Sequence, residues 1–388
     1  MPLRPAPPQV AELRPRASRP FHQVDVFTAT PYLGNPLAVV HSAQGLDEAT
    51  MQRFARWTNL SETTFLLPPS IDAAAAGADY QVRIFTPAYE MPFAGHPTLG
   101  SCHAWLEAGG VPRDPHCIVQ QCKVGLVKIR RDAMPGGQRL AFAAPPLSRT
   151  VPQAAHRNAL AQALGLQPHQ VVDAQQLHNG PRHFGFLVDN VETVLSVRPD
   201  PYAMAQALQD AGVTGVGLAA VQGGAVGGTD WPAVAAVGQH AHAGQEAHSG
   251  PVLVARSNRE ARAFGAAAAR QRVAVATANL PGSNPTNTHL PNTNPTGDNF
   301  TSHFSDQPSV EIRFFAMHPG LVEDPVTGSF NASMAQWLMT EGYAPQRYVA
   351  AQGSCIGSAG RVFAQRDASG QVWIGGSVVT CIRGEVAL

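Results

Sequence analysis

Glu62 in NLSETTFLL, His96 in FAGHPTLG and Asp324 in VEDPVTGS are the side chains best suited to moving a proton. Glu62 stands directly before an apolar run. A carboxylate at such an edge is partly desolvated, which raises its pKa and suits proton transfer near neutrality. His96 carries a group that titrates near neutral pH. Asp324 precedes Pro325, which confines it to an extended or turn conformation. Taken singly, each residue also fits a cap, an exposed carboxylate or a satisfied polar group. Taken together they form an acid/base set around two helix starts. That set fits epimerisation, isomerisation or tautomerisation of a small acid.

The elements that must position these groups are two helices with similar entrances. In AGHPTLGSCHAW, Gly95 permits an unusual backbone angle and Pro97 suits a first helical turn. Leu99, Cys102, Trp105 and Leu106 follow at helical spacing, and Gly109-Gly110 stops the helix. A second segment, RFFAMHPGLVEDPVTGSFNASMAQWLMTEGYA, repeats the plan of RIFTPAYEMPFAGHPTLGSCHAWLEAGG. Each begins with Arg and an aromatic-rich strand and passes a Pro/Gly turn holding an acidic residue. Each then opens a helix on small residues and ends near Trp-Leu and Gly. A repeat at this separation predicts two domains of similar build, each with one buried helix. A helix N-terminus offers unpaired N–H donors and partial positive charge. Gly95 on one helix, and Gly328 and Ser329 on the other, would let a substrate anion approach both ends, and a carboxylate is the natural ligand. The competing reading is that both Gly/Ser clusters are plain caps.

Around this pair the chain reads as alternating strands and helices. Val24, Val26 and Thr28 alternate as in a strand, and Leu37 to Val40 form another after a Gly-Asn-Pro turn. LDEATMQRFARWT predicts an amphipathic helix with Met51, Phe54, Ala55 and Trp57-Thr58 near one face, followed by a strand from Thr63 to Leu67. The expected organisation is a flexible Pro/Arg-rich tail over 1–20, a first domain over 21–147 and a second over 148–388, whose last strand returns to the first domain. Within the second, 223–308 is expected to be a long insert. Its Asn/Thr/Pro-rich part cannot bury a core and reads as surface loop. Trp231 and RSNREARAFGAAAARQRVAVATA are its candidates for order.

Composition narrows the function. The 388 residues include 27 Lys+Arg and 27 Asp+Glu, so no basic excess points to nucleic acid. No run approaches the roughly 18 apolar residues of a membrane span. The tail has no apolar core, so it is not read as a secretory signal. Five cysteines without a CxxC pair speak against a disulfide scaffold or a structural zinc site, and a cytoplasmic setting is expected. No P-loop, dinucleotide fingerprint or HExxH is present. His240, His242 and His248 cluster in the insert, but no acidic or cysteine partner stands at ligand spacing, and a solvated loop is the default.

The stretches VDVFTATPYLGNPLAVV, NLSETTFLLPP, RIFTPAYEMPFAGHPTLGSC, RFFAMHPGLVEDPVTGSFNASMAQWL and QGSCIGSAGRVFAQ resemble the PhzF family of phenazine-biosynthesis isomerase-like proteins. The matches run in order from about Phe21 to the C-terminus. The resemblance implies a mixed α/β, diaminopimelate epimerase-like fold: two pseudo-symmetric domains, each a twisted, barrel-like sheet around a central helix. The active site is then expected between them. It implies no cofactor and no metal, a small cyclic or amino-acid-like carboxylate as substrate, and a homodimer. Carried over by position, Glu62 is the acid/base glutamate. His96 and Asp324 hold polar groups of the substrate and relay protons, and N–H groups near Gly95, Gly328 and Ser329 bind its carboxylate. The related epimerases place a cysteine at each helix end. Here Ala94 and Thr327 stand there, which disfavours a two-thiol racemase. A non-catalytic binding or regulatory protein of the same fold is the alternative, and a metal enzyme using the insert histidines is a third reading.

Overall fold

The computed structural model describes residues 17–134, 137–222, 307–317 and 321–388, all of them within one unit made of 1–228 and 298–388. The insert expected at 223–308 lies outside the described residues but for its last two positions. His240, His242, His248, Trp231 and the stretch from Arg256 lie outside them too.

The first half runs β1 (Ser18–Val26), β2 (Asn35–Val40), α1 (Glu48–Thr58), β3 (Thr63–Leu67), α2 (Ile71–Ala75), β4 (Tyr80–Phe85), β5 (Glu90–Met91), α3 (Gly95–Glu107), β6 (Cys117–Cys122), β7 (Gly125–Met134), β8 (Gly137–Ala143) and β9 (Ser148–Thr150). Next come α4 (Ala154–Leu164), β10 (Val171–His178), β11 (Arg182–Val188), α5 (Val191–Ser196), α6 (Pro201–Ala211), β12 (Gly215–Val221), β13 (Val310–Met317) and β14 (Leu321–Glu323). The chain closes with α7 (Gly328–Thr340), β15 (Arg347–Gln352), β16 (Gly360–Arg366), β17 (Val372–Gly376) and β18 (Val378–Ala387).

The pairing order occurs twice. β1–β2 is antiparallel, β2–β3 parallel, β3–β4 and β4–β5 antiparallel, β4–β6 parallel, then β6–β7 and β7–β8 antiparallel. The run from β10 through β17 repeats each step. Strand β9 pairs with β10 and β18 pairs with β1, while β8 and β17 join the two runs into one 18-stranded sheet.

Side-chain chemistry repeats as well. Arg83 grips Glu90 through two nitrogens at 2.8 and 2.7 Å, and Arg313 grips Glu323 at 2.9 and 2.7 Å. Both acids lie across a short hairpin from the aromatic two residues after the arginine, Phe85 and Phe315. The guanidinium groups lie 5.1 and 5.0 Å from those rings. This register sets Glu323, not Asp324, opposite Glu90. Asp324 therefore corresponds to Met91, and Ser329 to His96. The backbone plan is symmetric and the polar chemistry built on it is not.

Helices α3 and α7 carry small or apolar residues on nearly every side, so neither can present a wet face. Gly95 to Cys102 and Gly328 to Ala335 are buried without interruption. Inside α3, Ser101 donates to Thr64 Oγ1 at 2.9 Å, and Gln120 donates to Thr98 Oγ1 at 3.2 Å. Those bonds satisfy hydroxyls that would otherwise be costly to bury. Cys102 is packed in this core, and burial pushes its thiol pKa well up.

Two expectations need correction. Strand β1 starts at Ser18, inside the stretch expected as tail: Ser18, Arg19 and Pro20 pair with Ala387, Val386 and Glu385. The partner strand lies at the far end of the chain, so local composition carries no trace of it. Helix α1 buries Met51, Phe54 and Ala55, but Trp57 is 78% exposed and only stacks on Phe54.

Candidate active site

The entrances of α3 and α7 meet backbone to backbone. A side chain placed on Gly95 would begin 2.6 Å from the carbonyl carbon of Gly328 and 2.8 Å from Ser329 N. One placed on Gly328 would begin 3.0 Å from Gly95 Cα and from His96 N. The space in the direction of a Gly95 side chain is thus taken by the facing helix. Glycine is needed at both positions so that the two helix ends can touch.

Helices α1, α2, α5 and α6 are capped by the side chains of Asp47, Ser70, Asn190 and Asp200. Neither Ala94 nor Thr327 caps its helix with a side chain. Helix α4 also lacks such a cap, but its first turn is exposed to water. At α3 and α7 the first turns are buried and have no N-cap side chain, so apart from the Thr327 N–H, which Gln352 accepts, their N–H groups are shielded from bulk water. Two partial positive charges therefore meet at one point. Negative charge placed beside them is favoured.

The acids and the imidazole gather there. Glu62, four residues after the end of α1, brings Oε2 to 3.4 Å from His96 Nε2 in the first turn of α3. The Glu62 side chain is 14% exposed and that of His96 is 4% exposed. Both atoms are buried and neither has a hydrogen-bond partner. Asp324 stands just before α7. Its Oδ1 accepts from Asn35 Nδ2 at 2.8 Å and its Oδ2 from Thr327 Oγ1 at 2.6 Å. Ser329 is buried, and its carbonyl accepts from Asn179 Nδ2 at 2.9 Å. All six residues singled out from sequence, Glu62, Gly95, His96, Asp324, Gly328 and Ser329, thus lie at or beside one junction.

Burial and charge set the protonation states. Burial drives the Glu62 pKa well above the ordinary carboxylate range, and the nearby Asp324 charge adds to it. Asp324 is raised by burial, against the lowering effect of its bonds from Thr327 and Asn35. Burial takes His96 down to about 3, so its imidazole is neutral across the physiological range. The junction therefore holds a neutral imidazole, one acid whose hold on a proton is strengthened by burial, and a second acid bonded at both oxygens.

Sequence reasoning passed over the polar shell of this set. In sequence, Asn35 reads only as part of a Gly-Asn-Pro turn. Gln352 donates to the Asp324 carbonyl at 3.0 Å and to Thr327 Oγ1 at 3.1 Å, and its oxygen accepts from Thr327 N at 3.0 Å and Asn331 Nδ2 at 2.9 Å. The available signal was the polar residue at the border of an apolar strand: Asn35 opens PLAVV and Gln352 closes RYVAA. At both helix entrances the flanking residues are not cysteines, and Cys102 sits two turns into α3. Among the described residues, no group of three or more His, Cys, Asp or Glu side chains is arranged to hold a metal ion. No described helix is long and apolar enough to cross a membrane.

Comparison with known proteins places the chain in a family. A family model of phenazine biosynthesis-like proteins, PhzC-PhzF, matches residues 24–225 and 270–384. The chain belongs to this family. The two matched stretches leave 226–269 between them. A PhzF-family phenazine biosynthesis protein from Bacillus anthracis superposes with a TM-score of 0.63 at 19% identity, over 96% of this chain and 100% of that one. The fold is accordingly diaminopimelate epimerase-like, as the motifs imply. A trans-2,3-dihydro-3-hydroxyanthranilate isomerase of Pseudomonas fluorescens is 35% identical over 182 residues, 47% of this chain and 61% of that protein. The protein named antisense-enhancing sequence 1 of Schizosaccharomyces pombe is 49% identical over 112 residues, 29% of this chain and 36% of that protein. The aligned stretches thus span between about one third and three fifths of these curated relatives.

Proposed function

We propose that this PhzF-family protein is a cofactor-independent isomerase that moves a proton on a small cyclic or amino-acid-like carboxylate. The observation that carries the reading is the buried, unpartnered Glu62 Oε2 facing the neutral His96 beside two uncapped helix entrances.

In this reading the substrate carboxylate rests against N–H groups near Gly95, Gly328 and Ser329, where helix dipoles favour it. Ionised Glu62 takes a proton from a carbon made acidic by its substituents. It returns that proton to another carbon of the same π-system. One C–H bond breaks and one forms, so no electrons leave the substrate. His96 and Asp324 hold its polar groups and relay protons on and off Glu62. A single carboxyl without a facing thiolate works on one face of the substrate, which fits a proton shift better than inversion at a carbon. Positioned proton transfer of this kind contributes about 10²- to 10⁴-fold to rate.

The division into two domains, 21–147 and 148–388, belongs to this reading, supported by the repeated pairing order and the junction of α3 with α7. A homodimer and a cytoplasmic location complete it, on the family resemblance.

The test is proton–deuterium exchange in heavy water, with wild type and Glu62→Gln. The first probe is trans-2,3-dihydro-3-hydroxyanthranilate, the compound in the names of the relatives, followed by other cyclic amino and hydroxy acids. Wild type is expected to incorporate deuterium at carbon and Glu62→Gln to lose at least about a hundredfold in rate. Equal rates would remove Glu62 from the mechanism. Binding of a probe without exchange would move the reading to a binding protein of this fold.

A further inference from the structure

Asp324 is held from two directions. Thr327, three residues on, reaches Oδ2, whereas Asn35 comes from β2, 289 positions away, to reach Oδ1. Asn35 is fully buried, and its backbone is fixed opposite Val26 in the β1–β2 pair. Two acceptors lie against its amide nitrogen, Asp324 Oδ1 at 2.8 Å and the Val326 carbonyl at 2.9 Å, with His96 Nδ1 3.4 Å away. An amide has two hydrogens, and the two short contacts use both. Turning the amide over would set its oxygen against a carboxylate and a carbonyl, so its orientation is determined. One side chain of the first half therefore fixes both the Asp324 carboxyl and the backbone leading into α7.

We infer that Asn35 is a positioning residue that holds Asp324 as the charged member of the acid pair and so keeps the proton of that pair on Glu62. A buried carboxylate survives ionised only when its oxygens are bonded. Without the Asn35 bond, Oδ1 loses its donor and Asp324 becomes the better place for a proton. Glu62 would then ionise more readily and be a weaker base for the proton that it has to carry between carbons. The other titratable groups facing the pair are His96 beside Glu62, Glu323 beside Asp324, and Tyr89 beside Glu62. The role rests on the proposed function only in what the located proton is used for.

The experiment is a carboxyl ¹³C NMR titration of full-length protein labelled at Asp and Glu, with the two signals assigned from Glu62→Gln and Asp324→Asn. Wild type, Asn35→Ala and the isosteric Asn35→Asp are compared. In Asn35→Ala, Asp324 is expected to titrate at least about one pH unit higher than in wild type, a tenfold change in proton affinity, while Glu62 titrates lower. In Asn35→Asp a second acid faces Asp324, and the upward displacement is larger. Asn35→Asp keeps the side-chain shape and carries the test if the alanine variant does not fold. Unchanged Asp324 and Glu62 titrations in a folded variant would overturn the role. The readout needs no substrate, so a null exchange result with Glu62→Gln would leave it standing and sink only the catalytic reading.

Discussion

Glu62 Oε2 and His96 Nε2 face each other at 3.4 Å in a space where neither has another partner. Burial moves their two pKa values apart, the acid upward and the imidazole down to about 3. The proton between them therefore belongs to the carboxyl. A protonated histidine does not contribute near neutrality, and the pH behaviour of the site should follow its acids.

The first prediction concerns that behaviour. Glu62 must be ionised to accept a proton, and its pKa is raised, so kcat/KM for exchange is expected to fall on the acid side along a limb above the ordinary carboxylate range. Part of the rise comes from the Asp324 charge. Asp324→Asn removes that charge and should move the limb to lower pH, with a lower maximal rate. A pH profile of exchange for both proteins measures this. A limb that stays in place in Asp324→Asn would show that the two carboxyls are not coupled.

The second prediction concerns the helix junction. Gly95→Ala would set a carbon 2.6 Å from the Gly328 backbone, which has no flexible end to swing away. Overpacking of this kind costs about 1–3 kcal/mol. It would also part the two helix entrances that are proposed to share a carboxylate. Gly95→Ala is therefore expected to lower both the melting temperature and the exchange rate. A variant as stable and as active as wild type would mean that the helix ends need not touch.

Much of this junction was legible in the sequence, for a physical reason. Gly95 and Gly328 mark backbone that another segment can approach closely, Pro97 fits a first helical turn, and the small-residue runs after them read as buried helix. Glu62 and Asp324 stand out because carboxylates are rare beside apolar segments. Asn35 and Gln352 did not stand out, because their roles depend on partners from distant parts of the chain. An asparagine in a Gly-Asn-Pro turn is fully explained by the turn until Asp324 is seen against it. The same limit hid the start of β1 at Ser18, which only pairing with β18 reveals. Trp57 erred the other way: its helical spacing is right, but α1 buries a narrower stripe than the sequence offers.

The third prediction compares the two matched ion pairs. The Arg313 side chain is 5% exposed, and its nitrogens also donate to the carbonyls of Val194 and Val197 at 3.2 and 3.0 Å. Removing it leaves Glu323 without its guanidinium and takes a donor from both carbonyls, of which Val197 keeps Arg198 Nη1 at 2.9 Å. Breaking a buried pair from one side costs about 3–5 kcal/mol. Glu90 is better insured, since Lys123 also reaches it at 2.6 Å. Arg313→Met is thus expected to destabilise the fold more than Arg83→Met, as read from urea unfolding. Equal losses would mean that the repeat is energetically symmetric after all.

The last prediction uses a histidine outside the junction. His183 in β11 is buried between Phe314 and Phe330, with ring centroids 4.8 and 5.8 Å away, and its Nδ1 has no partner. Burial lowers its pKa from 6.5 to about 3. Below pH 6.5 the unfolded chain takes up a proton that the folded chain refuses. Its contribution to stability is therefore complete above that pH and is lost as pH falls toward about 3. Between pH 7 and pH 5 the loss from this one group amounts to about 2 kcal/mol. His41 and His96 are also lowered, to about 4 and about 3, and push in the same direction. His183→Gln does not titrate, so its unfolding free energy should fall less than that of wild type over the same two pH units, by about that amount. Urea unfolding at pH 7 and pH 5 measures the difference within each protein and cancels any change in absolute stability. Parallel falls in the two proteins would mean that His183 takes up its proton in the folded state, and that its ring is less enclosed than the packing of Phe314 and Phe330 requires.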